Sequence, residues 1–139
     1  LESEIQDAFV PFLSAYKEAN GKVQDIDLSK LKEKFGEDYE FYVINKDGVI
    51  IQTTFVKDLN LDFAKIAPDF NKKLQSIRIN GGYHGNRVTS TIKTGEVRKF
   101  GYWGTSDKKY ILEIGIASSK FDSSLKKIDL TGSFEFTTS

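Results

Sequence analysis

Between Arg78 and Trp103 the chain gathers the side chains best suited to holding a small ligand: Arg78, Tyr83, His84, Arg87, Arg98, Tyr102 and Trp103. A guanidinium grips a carboxylate through two parallel N–H donors, and in a low-dielectric cleft it is costly unless an anion meets it. Tyrosine adds a directional hydroxyl and tryptophan a rigid apolar wall. Arg87 and Tyr102 are the strongest pocket candidates of the set. The same residues admit a plainer reading, in which Arg98 pairs on the surface with Glu96 or Glu113 while Phe100, Tyr102 and Trp103 fill the core.

Catalytic chemistry finds little to work with. His84 is the only histidine, there is no cysteine, and no serine stands in a Gly-x-Ser-x-Gly context, so a nucleophile with its base is hard to assemble and no enzyme is expected. One histidine with scattered acids cannot close a zinc site, so neither a metal nor a cofactor is expected. Gly81-Gly-Tyr-His-Gly85 lacks the Gly-Lys-Ser/Thr that opens a phosphate-binding helix. Asp25-Ile-Asp27 lacks the glycine and the distal carboxylate of a calcium loop and reads as helix capping.

Charge bears on nucleic acid. Lysine plus arginine equals aspartate plus glutamate at 20 each, so no global field draws the chain to a polyanion. The halves differ: residues 1–70 hold 8 basic and 14 acidic side chains, and residues 71–139 hold 12 and 6. A stacking face for single strands would use Arg87, Arg98, Lys99, Tyr102 and Trp103. Strand alternation, however, puts Arg98, Phe100 and Tyr102 on one side and Lys99 with Trp103 on the other, so no single platform forms and nucleic acid is not an expected partner.

These residues must be carried by a scaffold, and the hydrophobic pattern outlines one. At 139 residues the chain has the size of one domain, and its 13% aromatic content favours strands with large buried rings. Ile5, Phe9, Phe12, Leu13 and Tyr16 lie along one face of a helix over residues 1–20, with a kink or restart expected at Pro11 and a stop at Asn20-Gly21. A shorter helix is predicted from Leu28 to Phe35, with Asp27 or Ser29 near its start. From Tyr39 the period becomes two, through Asn45, an Asp47-Gly48 turn and a second strand to Thr54; glycine takes the positive φ that a tight turn needs. A helix over 62–79 would share the face of Phe63, Ile66, Phe70, Leu74 and Ile77, with Pro68 in the first turn of its main part.

Asn80 to Asn86 reads as a loop, followed by strands Arg87–Thr94, Val97–Gly104 and Lys109–Ala117. In the last of these Tyr110, Leu112, Ile114 and Ile116 make a firm core side and the other side is mixed. Residues 118–139 form a tail in which Phe121, Leu125 and Ile128 suit a short helix and 130–136 a strand or loose end. The expected architecture is α+β: a long N-terminal helix, a five-stranded antiparallel sheet, and helices and loops on its faces. As a single domain over 1–139, it divides into a helical region 1–36, a sheet core 39–117 and the tail.

Four phrases sharpen this outline: Phe41-Tyr-Val-Ile-Asn-Lys-Asp-Gly-Val49, Asp58-Leu-Asn-Leu-Asp-Phe63, Thr94-Gly-Glu-Val-Arg-Lys-Phe-Gly-Tyr102 and Lys109-Tyr-Ile-Leu-Glu-Ile-Gly115. Over about 39–121 the chain resembles the Cache family of PAS-like sensor domains. The resemblance implies an extracytoplasmic module of a membrane receptor, such as a histidine kinase, diguanylate cyclase or chemoreceptor, with a small molecule between the sheet and the loops over one face. It implies a membrane-anchored parent chain and admits a homodimer; the initial Leu1 and the absence of methionine suit a piece of a longer protein, and no apolar run here is long enough to span a membrane. The branch of that family that binds amino acids carries an Arg-x-Trp-Tyr-like run where this chain reads Arg78-Ile-Asn-Gly-Gly-Tyr-His-Gly-Asn-Arg87. This departure leaves a short carboxylate, or a ligand-free module used for dimerisation or partner contact.

Overall fold

The computed structural model of the chain describes residues 2–90 and 97–117. Helix α1 (Glu2–Glu18) leads through a 3-10 turn (Val23–Asp25) to α2 (Leu28–Phe35), then strands β1 (Tyr39–Ile44) and β2 (Ile50–Thr53). A second 3-10 turn (Val56–Asp58) precedes α3 (Phe63–Ile66) and α4 (Pro68–Asn80), and β3 (Gly82–Ser90), β4 (Val97–Gly104) and β5 (Ile111–Ala117) follow. The five strands form one antiparallel sheet in the order β2-β1-β5-β4-β3, an α+β arrangement of PAS-like character.

Both faces of this sheet are covered, which explains why its central strands are apolar on both sides. On one face α1 and α2 bury Ile5, Phe9, Phe12, Tyr16 and Leu31 against Phe41, Val43, Leu112, Ile114 and Ile116. On the other, α3 and α4 bury Phe63, Phe70, Leu74 and Ile77 against Tyr42, Ile44, Phe100, Tyr102 and Ile111. The side of β5 expected to be mixed is therefore also buried, from Ile111 through Glu113.

Local sequence accounts for the element ends. Asp27 caps α2 by accepting from the Lys30 N–H at 3.2 Å, the capping role predicted for the Asp25-Ile-Asp27 pair. Asn45 Oδ1 accepts from the N–H groups of Asp47 and Val49, both at 3.0 Å, and so holds the turn between β1 and β2. At the far end Tyr16 Oη donates to Asp107 at 2.5 Å, tying the last turn of α1 to the β4–β5 turn.

Several expectations are corrected. Of the kink or restart expected at Pro11 the restart is absent, since helix α1 is continuous from Glu2 to Glu18. The helix predicted over 62–79 is two helices divided at Ala67, with Pro68 opening the second; the break turns Ile66 outward, 58% exposed, and removes it from the shared face. The loop predicted from Asn80 to Asn86 shrinks to Gly81, because α4 continues through Asn80 and β3 pairs with β4 from Gly82 onward. Glycine content there signalled a turn, yet cross-strand hydrogen bonding to Gly104, Trp103 and Tyr102 recruits the segment into the sheet. Strand β5 begins at Ile111, since Lys109 and Tyr110 close the turn onto Asp107 and Thr105. The turn expected at Thr94-Gly95-Glu96 and the tail 118–139 lie outside the described residues.

Candidate functional site

Register builds the site. Tyr42 on β1 pairs with Glu113 on β5, Glu113 with Tyr102 on β4, and Tyr102 with His84 on β3, so four side chains stand in one row on the α4 face. The neighbouring row holds Gly115, Phe100 and Arg87. A Cβ at Gly115 would fall 2.7 Å from the Phe100 ring, so only glycine lets that ring lie flat under the guanidinium of Arg87. Simple alternation from His84 would send Arg87 to the α1 face. A bulge between His84 and Arg87, where three residues of β3 span two of β4, returns it to the same face as His84.

From edge strand β3 the Arg87 side chain reaches over β4. Its guanidinium carbon lies 4.1 Å from the Phe100 ring centroid and 5.0 Å from that of Phe70 on α4. Its Nε–H donates to Tyr102 Oη, and Nη2 lies 3.5 Å from Glu113 Oε2. Arg87 is 3% exposed and Glu113 1%, so this is an ion pair out of water with a long contact between its charges. Glu113 Oε1 is buried with no hydrogen-bond partner among the described residues.

The electrostatics follow from that burial. Desolvation pushes the Glu113 carboxyl up to about 7, against the pull of Arg87 and the hydrogen bond from Tyr102. Burial likewise holds the hydroxyls of Tyr42 and Tyr102 well above the usual tyrosine range, so both remain hydrogen-bond donors at every physiological pH. Tyr42 Oη lies 3.4 Å from Asp58 Oδ2, and burial raises Asp58 as well, opposed by that hydrogen bond and by Arg98 and Arg87. Arg98 sits on the same face with its guanidinium 4.7 Å from the Phe55 ring. Two guanidinium groups thus share a buried face with two carboxyls that both resist ionisation.

The row ends in an open groove of about 290 Å³, lined by Lys73, Ser76 and Ile77 of α4 and by His84 and Gly85 of β3. Of the residues singled out in the sequence, Arg87, Tyr102, Arg98 and His84 share this face. Trp103 and Tyr83 do not. They pair across β4 and β3 on the opposite face, where their rings pack 5.7 and 5.9 Å from Phe9 of α1. Arg78 is also apart, bonded to Gln75 Oε1 and to the Lys108 carbonyl at the end of α4. Glu113, Tyr42 and Asp58 were not among the sequence candidates for the pocket. The signal for Glu113 was present, as the single charge inside the apolar run Ile111 to Ala117; Tyr42 and Asp58 gave none beyond their residue types.

No family model matches this chain and no curated protein matches it. One solved structure that it resembles is an extracellular ligand binding receptor from Desulfohalobium retbaense, at a TM-score of 0.38 and 13% identity, over 64% of this chain and 14% of that one. This chain therefore corresponds to a small part of that receptor's length.

Proposed function

We propose that this chain is a Cache-type sensing domain of a membrane receptor, lying outside the cytoplasm, that binds a short carboxylate over Arg87 and performs no chemistry on it. One observation carries the anion site: a guanidinium 3% exposed and enclosed between Phe70 and Phe100 meets the Glu113 carboxyl at no closer than 3.5 Å, and burial pushes that carboxyl up to about 7. A carboxyl so reluctant to ionise is a poor counter-ion, whereas a free carboxylate, ionised from about pH 4 upward, is a good one. Tyr102 supplies a directional donor, and the groove beside His84 is the approach. That groove, of about 290 Å³, is lined by Lys73, Ser76, Ile77, His84 and Gly85 and stops short of Arg87 itself.

The receptor setting, whether histidine kinase, diguanylate cyclase or chemoreceptor, rests on the Cache-like phrases around Asp47-Gly48 and through β4 and β5. Binding would transmit by shifting α1 against the sheet, with a magnitude set by the ligand's differential affinity for the two positions. A thermal-shift series with acetate, propionate, pyruvate and lactate at pH 6 tests the reading. At 100 times its dissociation constant a ligand stabilises by about 2.7 kcal/mol, and the shift should vanish in Arg87→Ala. No shift with any of the four, in wild type and variant alike, would reject it.

A second reading is a ligand-free PAS-like module used for dimerisation. The close enclosure of Arg87 by two rings favours it, because the pair then serves as core polar structure. Mass by light scattering that rises with concentration, together with no thermal response to carboxylates, would support this alternative.

A further inference from the structure

We propose that a carboxylate arriving at Arg87 displaces Glu113 from the guanidinium and that Glu113 takes one proton from solvent as it is displaced, so that anion and proton bind together. The inference rests on the carboxylate reading of the site and adds its regulation by pH. The geometry offers one place for two anions to compete. Arg87 Nη2 and Glu113 Oε2 stand 3.5 Å apart, a loose contact for a buried ion pair, and a tighter incoming carboxylate gains the 2.7–2.9 Å typical of charge-assisted bonds. Two carboxylates cannot both stay ionised in one desolvated cleft, so the displaced one protonates.

The surroundings decide which group takes the proton. Facing Glu113 are Arg87 from β3, Tyr102 from β4, Tyr42 from β1 and Asp58 of the second 3-10 turn, with Arg98 of β4 near Tyr42 and Asp58 and His84 at the end of the row. Glu40, also on β1, is held by Lys32 and Thr54, both at 2.6 Å. Helices α3 and α4 bury Phe63, Phe70, Leu74 and Ile77 on this face, none of which titrates, and α4 also brings the Lys73 ammonium to the groove beside His84. Asp58 accepts from Tyr42 as Glu113 does from Tyr102, but it lies only partly buried, so water supports its ionised form as it does not support that of Glu113. Among the described residues Glu113 is the most enclosed acid, and one of its oxygens has no hydrogen-bond partner, so its charged form is the least well supported. Its carboxyl already titrates near 7 in the free protein, and losing Arg87 to an anion moves it higher.

Calorimetric titration of the purified chain with propionate, in buffers of different ionisation enthalpy, measures the protons taken up per ligand. The expected count is close to one at pH 8 and close to zero at pH 5.5, with the dissociation constant rising about tenfold per pH unit above pH 7. Glu113→Gln, of the same shape, should bind propionate with an affinity that is flat from pH 5.5 to 8.5 and no uptake. Binding that is lost in Arg87→Ala but shows no uptake and no pH dependence would overturn the coupling and leave the anion site standing. Uptake that survives in Glu113→Gln and disappears in Asp58→Asn would also overturn it, by assigning the proton to Asp58. Failure of propionate, acetate, pyruvate and lactate to bind either protein at any of these pH values would overturn the site and the coupling together.

Discussion

Arg87 and Glu113 sit on strands separated by β4, yet their charged ends lie 3.5 Å apart because the arginine crosses the whole width of Phe100 to reach the glutamate. Two strand spacings are about 9.6 Å, more than an arginine side chain spans alone, so both side chains contribute to the contact, which is made between nearly inaccessible groups. This is the regime in which desolvation outweighs attraction, as the raised Glu113 carboxyl reflects.

Stability should follow that carboxyl. A group whose folded pKa is raised contributes stability that is complete below its unfolded value, about 4.5, and is lost as pH climbs through its folded value, about 7. Urea denaturation of the wild type should accordingly show unfolding free energy declining between pH 5 and pH 8. Glu113→Gln mimics the protonated form, so it should match the wild type at pH 5 and exceed it at pH 8.5. A variant less stable than the wild type at pH 8.5 would mean that the ion pair is net favourable.

Tyr16 and Asp107 hold the end of α1 to the β4–β5 turn. Burial works to raise Asp107, but hydrogen bonds from Thr105, Tyr16 and the Lys109 N–H overcome it and hold the carboxyl below the usual aspartate range. Its contribution is present above the unfolded pKa and fades as pH falls through the folded one. Tyr16→Phe should cost about 1 to 2 kcal/mol at pH 7, and the cost should shrink toward pH 3. If Tyr16→Phe and Asp107→Asn proved fully additive, the two would not be coupled and the tie would carry no energy.

Gly104 should tolerate no side chain. A Cβ there would stand 2.1 Å from the Ile77 carbonyl oxygen and 2.9 Å from Gly81 Cα, both backbone atoms that cannot swing aside. Gly104→Ala must lift the end of α4 from β4, at a cost of about 3 kcal/mol or more. Differential scanning calorimetry reads this directly, and a loss below about 1 kcal/mol would show that α4 gives way freely.

Much of the fold was legible because its signals are local. The spacing of Ile5, Phe9, Phe12 and Tyr16 marks one helix face, Asp47-Gly48 marks a turn, and the alternation through Arg98, Phe100 and Tyr102 separated them correctly from Trp103. The site was legible only in part. The meeting of Tyr42, Glu113, Tyr102 and His84 is a matter of strand order and register, which link residues dozens of positions apart and leave no short-range trace. Arg87 was singled out for its chemistry, but the bulge that aims it arises in a glycine-rich stretch that looks like a loop. The plainer reading offers Glu113, or else Glu96, as a surface partner for Arg98, since a buried acid in an apolar strand is indistinguishable from an exposed one until both faces of the sheet are seen to be covered.

The central claim is that a small carboxylate meets the Arg87 guanidinium, and the most direct measurement is the proton–nitrogen NMR signal of its Nε–H, assigned by its disappearance in Arg87→Lys. On titration with propionate at pH 6 that signal should move progressively and saturate, with the Tyr102 ring signals moving in step. An Arg87 signal that stays fixed at saturating propionate, whether or not signals around Lys73 and His84 move, would contradict the account.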